Sequence, residues 1–242
     1  MLRIVPTNSA GGAKKYYSHS DYYTEDQELA GVWKGQGAAR LGLEGIVEKA
    51  PFDALCDNLH PRTGESITPR NRTDRTVGYD FNFHAPKSVS LLNALTDDGE
   101  ILKAFQDSVD ETMRIVEADA QTRVRKGKAY EDRTTGELVW ARFDHLTSRP
   151  VDGVPDPHLH SHCFVQNMTF DSDEDRWKAG QFRALKRDAP FYQAVFHSKL
   201  AVRISALGYP VEKTPAGWDV RGIARSTLDK FSRRTLRIEA LA

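Results

Sequence analysis

Histidine recurs at every second position in Pro157-His158-Leu159-His160-Ser161-His162-Cys163-Phe164, and that spacing fixes the local structure. Side chains along a β-strand point alternately to its two faces. On a strand, His158, His160 and His162 share one face with Phe164 and Gln166, while Leu159, Cys163 and Val165 turn toward a core. Neutral imidazole is the commonest protein ligand for zinc and related divalent cations. Two rings on one strand can grip one ion if a neighbouring strand supplies a third. The segment from Leu138 to His145 reads as that strand, and the Pro/Gly/Asp-rich stretch from Arg149 to Pro157 reads as the turn that folds it back. The expected ligand set is therefore His145, His160 and His162, three protein ligands with an open position. For His158 two readings stand, a competing ligand and an exposed bystander. Single histidines mostly serve as hydrogen-bonded core or surface residues; the clustering of four in so short a span is what points to a metal.

Two tyrosine pairs, Tyr16-Tyr17 and Tyr22-Tyr23, lie near the N-terminus in a polar segment short of aliphatic residues. A phenol titrates near ~10, so it attacks poorly at neutral pH unless a base or a cation assists it. Paired tyrosines in a loop also serve as amphipathic covers or partner contacts, so their meaning depends on their neighbours. In Thr76-Val77-Gly78-Tyr79-Asp80-Phe81-Asn82-Phe83 the apolar residues alternate with small or polar ones, the signature of a strand with one buried face. Asp80 falls on the polar face, where it could fix the tautomer of a ligand imidazole or take a tyrosine proton. Ala85-Pro86-Lys87-Ser88 follows and reads as a helix start, a place where backbone amides and the Lys87 charge can meet a phosphate.

The order "KKYY…DYY", "DFNFHAPKSVS", "FDHLTSR" and "PHLHSHCFVQNMT" resembles conjugative relaxases of the TrwC/TraI type, members of the HUH superfamily of DNA-nicking enzymes. The likeness extends to "WKGQGAARLGL", "LGYPV" and "FSRRT" and covers nearly the whole chain. It implies a palm-like sheet that carries the metal site, with a tyrosine-bearing helix over it. It further implies site-specific nicking and rejoining of single-stranded DNA at a plasmid transfer origin by transesterification, through a 5′-phosphotyrosine intermediate. On the matching positions, Tyr16 is the principal nucleophile and Tyr17 its neighbour, and Tyr22 and Tyr23 serve a later strand-transfer step. His145, His160 and His162 hold a divalent ion (Mg, Mn or Zn), and Asp80 is the supporting acid. His158 stands where the family motif requires no histidine. The implied partners are transfer-origin DNA, with accessory relaxosome and secretion-coupling proteins. Relaxases of this type continue beyond the helical pattern of Leu228 to Ala242, so the chain is expected to be one relaxase domain, 1–242, truncated at its C-terminus relative to a longer multidomain protein. The rival classes are a rolling-circle replication initiator of the same superfamily, a non-cleaving single-stranded DNA-binding module and a small phosphoester hydrolase, which leaves the tyrosine pairs unexplained.

Composition agrees with one compact domain: 242 residues, 39% of them hydrophobic, can bury a sizeable core. Lys and Arg total 34, as do Asp and Glu, so any DNA-binding surface must come from the distribution of charge. Candidate phosphate contacts are Arg70, Arg72 and Arg75, together with Arg183, Lys186 and Arg187; further basic runs lie at Arg123 to Lys128 and Arg233 to Arg237. A three-to-four-residue apolar step predicts a long amphipathic helix from Ile101 to Val124, and a second helix runs from Asp188 and Pro190 toward Gly208. Strands are expected at Met1–Pro6, Thr76–Phe83, Val139–Thr147, His158–Phe170 and near Trp218, with Asp171–Asp175 as a hairpin tip. The fold class is α+β: a central antiparallel sheet with helices packed mainly on one face. Two cysteines imply no disulfide framework, and no stretch reaches membrane-spanning length, so the expected setting is the bacterial cytoplasm without membrane insertion.

Overall fold

The computed structural model describes residues 2–18, 29–69, 72, 74–96, 99–215, 217–234 and 237, the side chains of Tyr16 and Ser18 excepted. In chain order the elements are β1 (Arg3–Thr7), α1 (Ala10–Ser18), β2 (Val32–Lys34), α2 (Gln36–Arg40), α3 (Lys49–Cys56), β3 (Gly78–His84), α4 (Lys87–Leu95), α5 (Gly99–Ala118), β4 (Gln121–Lys126), β5 (Ala129–Thr134), β6 (Trp140–Thr147), β7 (Pro157–Gln166), β8 (Thr169–Asp171), β9 (Arg176–Lys178), α6 (Arg183–Arg187), α7 (Ala189–Ala206), β10 (Val211–Thr214), β11 (Gly217–Val220) and α8 (Arg225–Lys230).

A five-stranded antiparallel sheet in the order β1-β3-β7-β6-β2 organises the chain. The α+β class with a central antiparallel sheet is the observed architecture, and the histidine strand β7 is its middle member. Alternation divides the sheet into two packed faces. Phe81, Phe83, Leu159, Cys163, Val165 and Trp140 face α5 and α7, whose buried stripes include Phe105, Val109, Met113, Tyr192, Phe196 and Leu200. Each such side chain contributes about 1.5–3 kcal/mol on leaving water. The opposite face carries Phe164, Ala141 and Trp33 under α1, α2 and α3. The larger helical layer lies on one face and the tyrosine-bearing helix on the other, as the sequence reading expected; α2 and α3 join the latter.

Polar groups pin the larger layer. Arg142 on β6 donates to Asp144 at 3.0 Å and is paired with Asp110 of α5; Asp144 also accepts from Gln106 at 2.9 Å and from Ser161. This buried set locks α5 to the central strands.

Several boundaries differ from the sequence reading. The long helix ends at Ala118, and Gln121–Lys126 turns into a hairpin with β5 around Gly127, whose φ of +61° suits a two-residue turn. Ala120 and Val124 continue the helical spacing, but Thr122 and Val124 are the buried pair of a strand. β7 stops at Gln166 because Asn167 turns to donate to Thr76 and Val77 carbonyls; β8 then leaves the sheet to pair with β9, with Asp171–Asp175 at the tip as expected. β1 begins and ends a residue or more later than expected, and β3 extends one residue further, to His84.

Candidate metal centre

Strand register builds the site. His160 stands directly across from His145 on β6 and from His84 on β3, and His162 stands across from Phe143 and Asn82. The rings of His145, His160 and His162 lie on one face with centroids 5.0 to 5.4 Å apart. A register irregularity between His145 and Thr147 sits at the edge of the cluster, a common device for re-aiming a strand side chain.

Two of the three imidazoles have their tautomers fixed. His162 Nδ1 donates to Asp80 Oδ2 at 2.7 Å, and His160 Nδ1 donates to the His158 carbonyl at 2.8 Å. Both leave Nε2 as the nitrogen with a lone pair, the arrangement seen when a ligand histidine is held by a carboxylate or carbonyl behind it. Burial pushes His145 down to about 3 and His160 down to about 4, with neighbouring imidazoles adding to the effect on His145. Both are therefore neutral near pH 7, as ligation requires. Among the described residues no three His, Cys, Asp or Glu side chains already close on one point tightly enough to hold an ion. The donor set and its tautomers nevertheless fit a divalent cation with nitrogen preference.

The tyrosine helix crosses this face. Ala10, Ala13 and Tyr17 form its inward stripe, spaced three and four residues apart; Ser9 caps it at 3.0 Å on the Gly12 amide, and Lys14 is tied to Asp57 at 2.5 Å. Tyr17 packs against Phe143 and Phe164, with ring centroids at 4.7 and 4.8 Å, and turns an edge to His162 at 6.5 Å. Tyr16 is on the same helix; its side chain, all of Tyr22 and Tyr23, and Arg70 lie outside the described residues.

Two basic clusters occupy different sides of the sheet. Arg72 and Arg75 line a cleft of about 410 Å³ with Asn8, Ala10 and Val77, beside the start of α1. Arg72 pairs with Asp74 at 2.9 Å, and Arg75 donates to the Cys56 carbonyl and has its pKa lowered by burial. Arg183, Lys186 and Arg187 are on α6, flanking Leu185 and following Phe182. Both of these pack in the α5/α7 core, with Phe182 stacked on Tyr79 at 3.9 Å. The geometry thus puts α6 on the sheet face opposite the histidines. Lys87 heads α4 and donates to the Pro157 carbonyl at 2.8 Å, tying the helix start to the first residue of β7.

His158 is not an exposed bystander. It is half-buried, and its Nε2 lies 3.1 Å from His84 Nδ1. His84 escaped the sequence reading of the site, although the Gly78, Asp80, Asn82 alternation, carried one step further, puts it on the histidine face. The aromatic seat of Tyr17 also escaped it, because Phe52, Phe143 and Phe164 come from three separate elements.

A profile of the TrwC relaxase family matches residues 10–242. The chain belongs to that family. Two Escherichia coli proteins, each a multifunctional conjugation protein TraI, are 34% and, in strain K12, 33% identical over 247 aligned residues; the alignments cover 97% of this chain and 14% of each TraI. A metal-bound conjugative relaxase TrwC in complex with oriT DNA matches with a TM-score of 0.86 and 33% identity, over 100% of this chain and 82% of that one. TrwC complexed with a 27-mer DNA that comprises the recognition hairpin and the cleavage site matches at 0.84 and 32%, with the same coverage.

Proposed function

We propose that this chain is the nicking domain, 1–242, of a longer conjugative relaxase that cuts and rejoins single-stranded DNA at a plasmid transfer origin. The observation that carries the reading is the His145/His160/His162 face, with Asp80 behind His162 and the tyrosine helix laid across it. Family membership and the DNA and metal that TrwC holds support it.

In this account His145, His160 and His162 hold a divalent cation, with Mg, Mn and Zn as candidates; nitrogen ligation favours zinc and transition ions over magnesium. When bound, it would polarise the scissile phosphate and offset charge gained during attack. The Tyr16 phenolate oxygen forms the new P–O bond, the bond to the upstream 3′ oxygen breaks, and that oxygen takes up a proton. A 5′-phosphotyrosine and a free 3′ hydroxyl result, so the phosphodiester energy is kept and the step can reverse. Asp80 holds His162 through Oδ2; its Oδ1 is buried and has no hydrogen-bond partner among the described residues, which leaves it able to receive a phenolic proton. Tyr17 seats the helix, while Tyr22 and Tyr23 are assigned the later strand-transfer step.

The candidate backbone contacts divide in this reading. Arg72 and Arg75, with Arg70 beside them in sequence, flank the start of the tyrosine helix and can meet a phosphate near the site, and Lys87 offers a further charge at the base of β7. Arg183, Lys186 and Arg187 would reach only DNA that passes around the sheet. The relaxosome and secretion-coupling partners belong to the whole protein, of which this chain spans 14% in its TraI relatives; a bacterial cytoplasmic setting accompanies them. Among the described residues no helix is long and apolar enough to cross a membrane.

The test is a denaturing-gel assay with labelled single-stranded oligonucleotides tiled across a candidate transfer region, with manganese or with chelator. A metal-dependent, protease-sensitive shift that Tyr16→Phe abolishes is expected. Binding without any covalent species on every tile would favour the non-cleaving DNA-binding module, and capture confined to a replication origin would favour the rolling-circle initiator.

A further inference from the structure

The histidine face carries more imidazole than one ion needs. His84, His158 and His160 form a second triangle of rings, with centroids 4.7, 5.2 and 5.5 Å apart. It shares His160 with the first triangle and matches it in size. Its vertices come from the same register rule: His84 is the cross-strand partner of His160 on β3, just as His145 is on β6.

Within the second triangle, His84 Nδ1 and His158 Nε2 approach to 3.1 Å. A metal bonded to imidazole nitrogens at about 2.0–2.1 Å places adjacent donors about 2.9 Å apart in an octahedral shell and about 3.4 Å apart in a tetrahedral one. The observed separation falls between those edges. A ring-to-ring N–H···N hydrogen bond spans the same gap, so a cation would replace one proton without rebuilding the backbone. His160 cannot serve both sites, because its Nδ1 is engaged by the His158 carbonyl and its Nε2 belongs to the first triangle.

We propose that His84 and His158 form a second, two-histidine site for a zinc-, copper- or nickel-type cation, completed by water and sitting beside the principal centre. Imidazole pairs select such ions over magnesium and calcium. The site is the weaker of the two. It has two protein ligands against three, the Lys87 ammonium is anchored nearby on Pro157, and a second dication about one strand spacing away, about 4.8 Å, is repelled by the first.

The inference builds on the reading of His145, His160 and His162 as a metal centre, and stoichiometry separates the two. The chain would be dialysed against increasing zinc chloride and its bound metal counted, with circular dichroism as a check on folding and His60→Ala as the control for a half-buried histidine outside the cluster. Wild type should take up two equivalents, a tighter and a weaker one. The double variant His84→Gln/His158→Gln, whose amides can keep a hydrogen bond in place of the ring pair, should lose the weaker and keep the tighter. His145→Ala/His162→Ala should lose the tighter. A single equivalent in wild type, lost only in the latter variant, would overturn the second site and spare the first. Two equivalents persisting in His84→Gln/His158→Gln would also overturn it. Uptake unchanged in His145→Ala/His162→Ala would instead count against the principal centre.

Discussion

Asp80 and His162 meet diagonally across the β3–β7 pair: the direct partner of Asp80 is Phe164, yet its carboxylate accepts the His162 Nδ1 proton at 2.7 Å. Diagonal neighbours on a sheet come within reach when one side chain is long or aromatic. The bond fixes which nitrogen of His162 faces outward. Asp80→Asn removes the charge that favours this tautomer and should weaken metal binding about 10- to 100-fold, with the fold unchanged. Isothermal titration with manganese or zinc measures it, and unaltered affinity would exclude the role.

Metal removal should lower thermal stability. A ligand that binds only the folded state adds about 2.7 kcal/mol at one hundred times its Kd. For a domain of this size that corresponds to about 5–10 °C in Tm. Thermal melts with metal and with excess chelator should differ by this order in wild type, and the difference should collapse in His160→Ala.

Much of this site was legible in the chain because strand alternation is a local property. The period-two spacing of His158, His160 and His162 determined their common face, and Asp80 followed from the same pattern in β3. His84 was equally accessible by that rule, but it stands one residue beyond the apolar run that defined the strand. What local pattern cannot supply is register. Nothing in Gly78 to His84 says that His84 pairs with His160 in place of His162. The Tyr17 seat and the division of basic clusters between two faces likewise depend on contacts far apart in sequence. The end of α5 is ambiguous in sequence because Ala120 and Val124 are four residues apart and so fit a helix stripe as well as a strand.

Arg142 tests the layer behind the site. The residue is 6% exposed, and its guanidinium pairs with Asp110 and Asp144. Arg142→Met should cost about 3 kcal/mol, the lower end for breaking a buried pair, because Lys34 at 2.8 Å still accompanies Asp110 and Gln106 still bonds Asp144. Urea unfolding reads this directly. Arg72→Ala, which breaks only an exposed pair, should change stability by less than about 1 kcal/mol.

Glu117 should govern part of the pH dependence of stability. Its Oε1 accepts both the Gln36 and Leu138 amides, at 2.8 and 2.7 Å, yet burial raises its pKa above the ordinary 4.5. Between the ordinary and the raised value the folded state binds more protons than the unfolded one, so stability falls as pH rises through that window. Glu117→Gln keeps a carbonyl oxygen for both amides. It should flatten this slope and leave the variant at least as stable as wild type at pH 7. Urea titrations at a series of pH values check it, and an undiminished slope would assign the dependence to other groups.

The central claim is that Tyr16 forms the bond to DNA under the histidine centre. The most direct measurement is peptide mapping by mass spectrometry of the covalent adduct formed with an oligonucleotide that spans the nick site, in the presence of manganese. The account predicts one linked peptide, with the nucleotide 5′-phosphate on Tyr16 and no adduct when the metal is chelated. Attachment at another residue, or an adduct that forms equally well without metal, would contradict it.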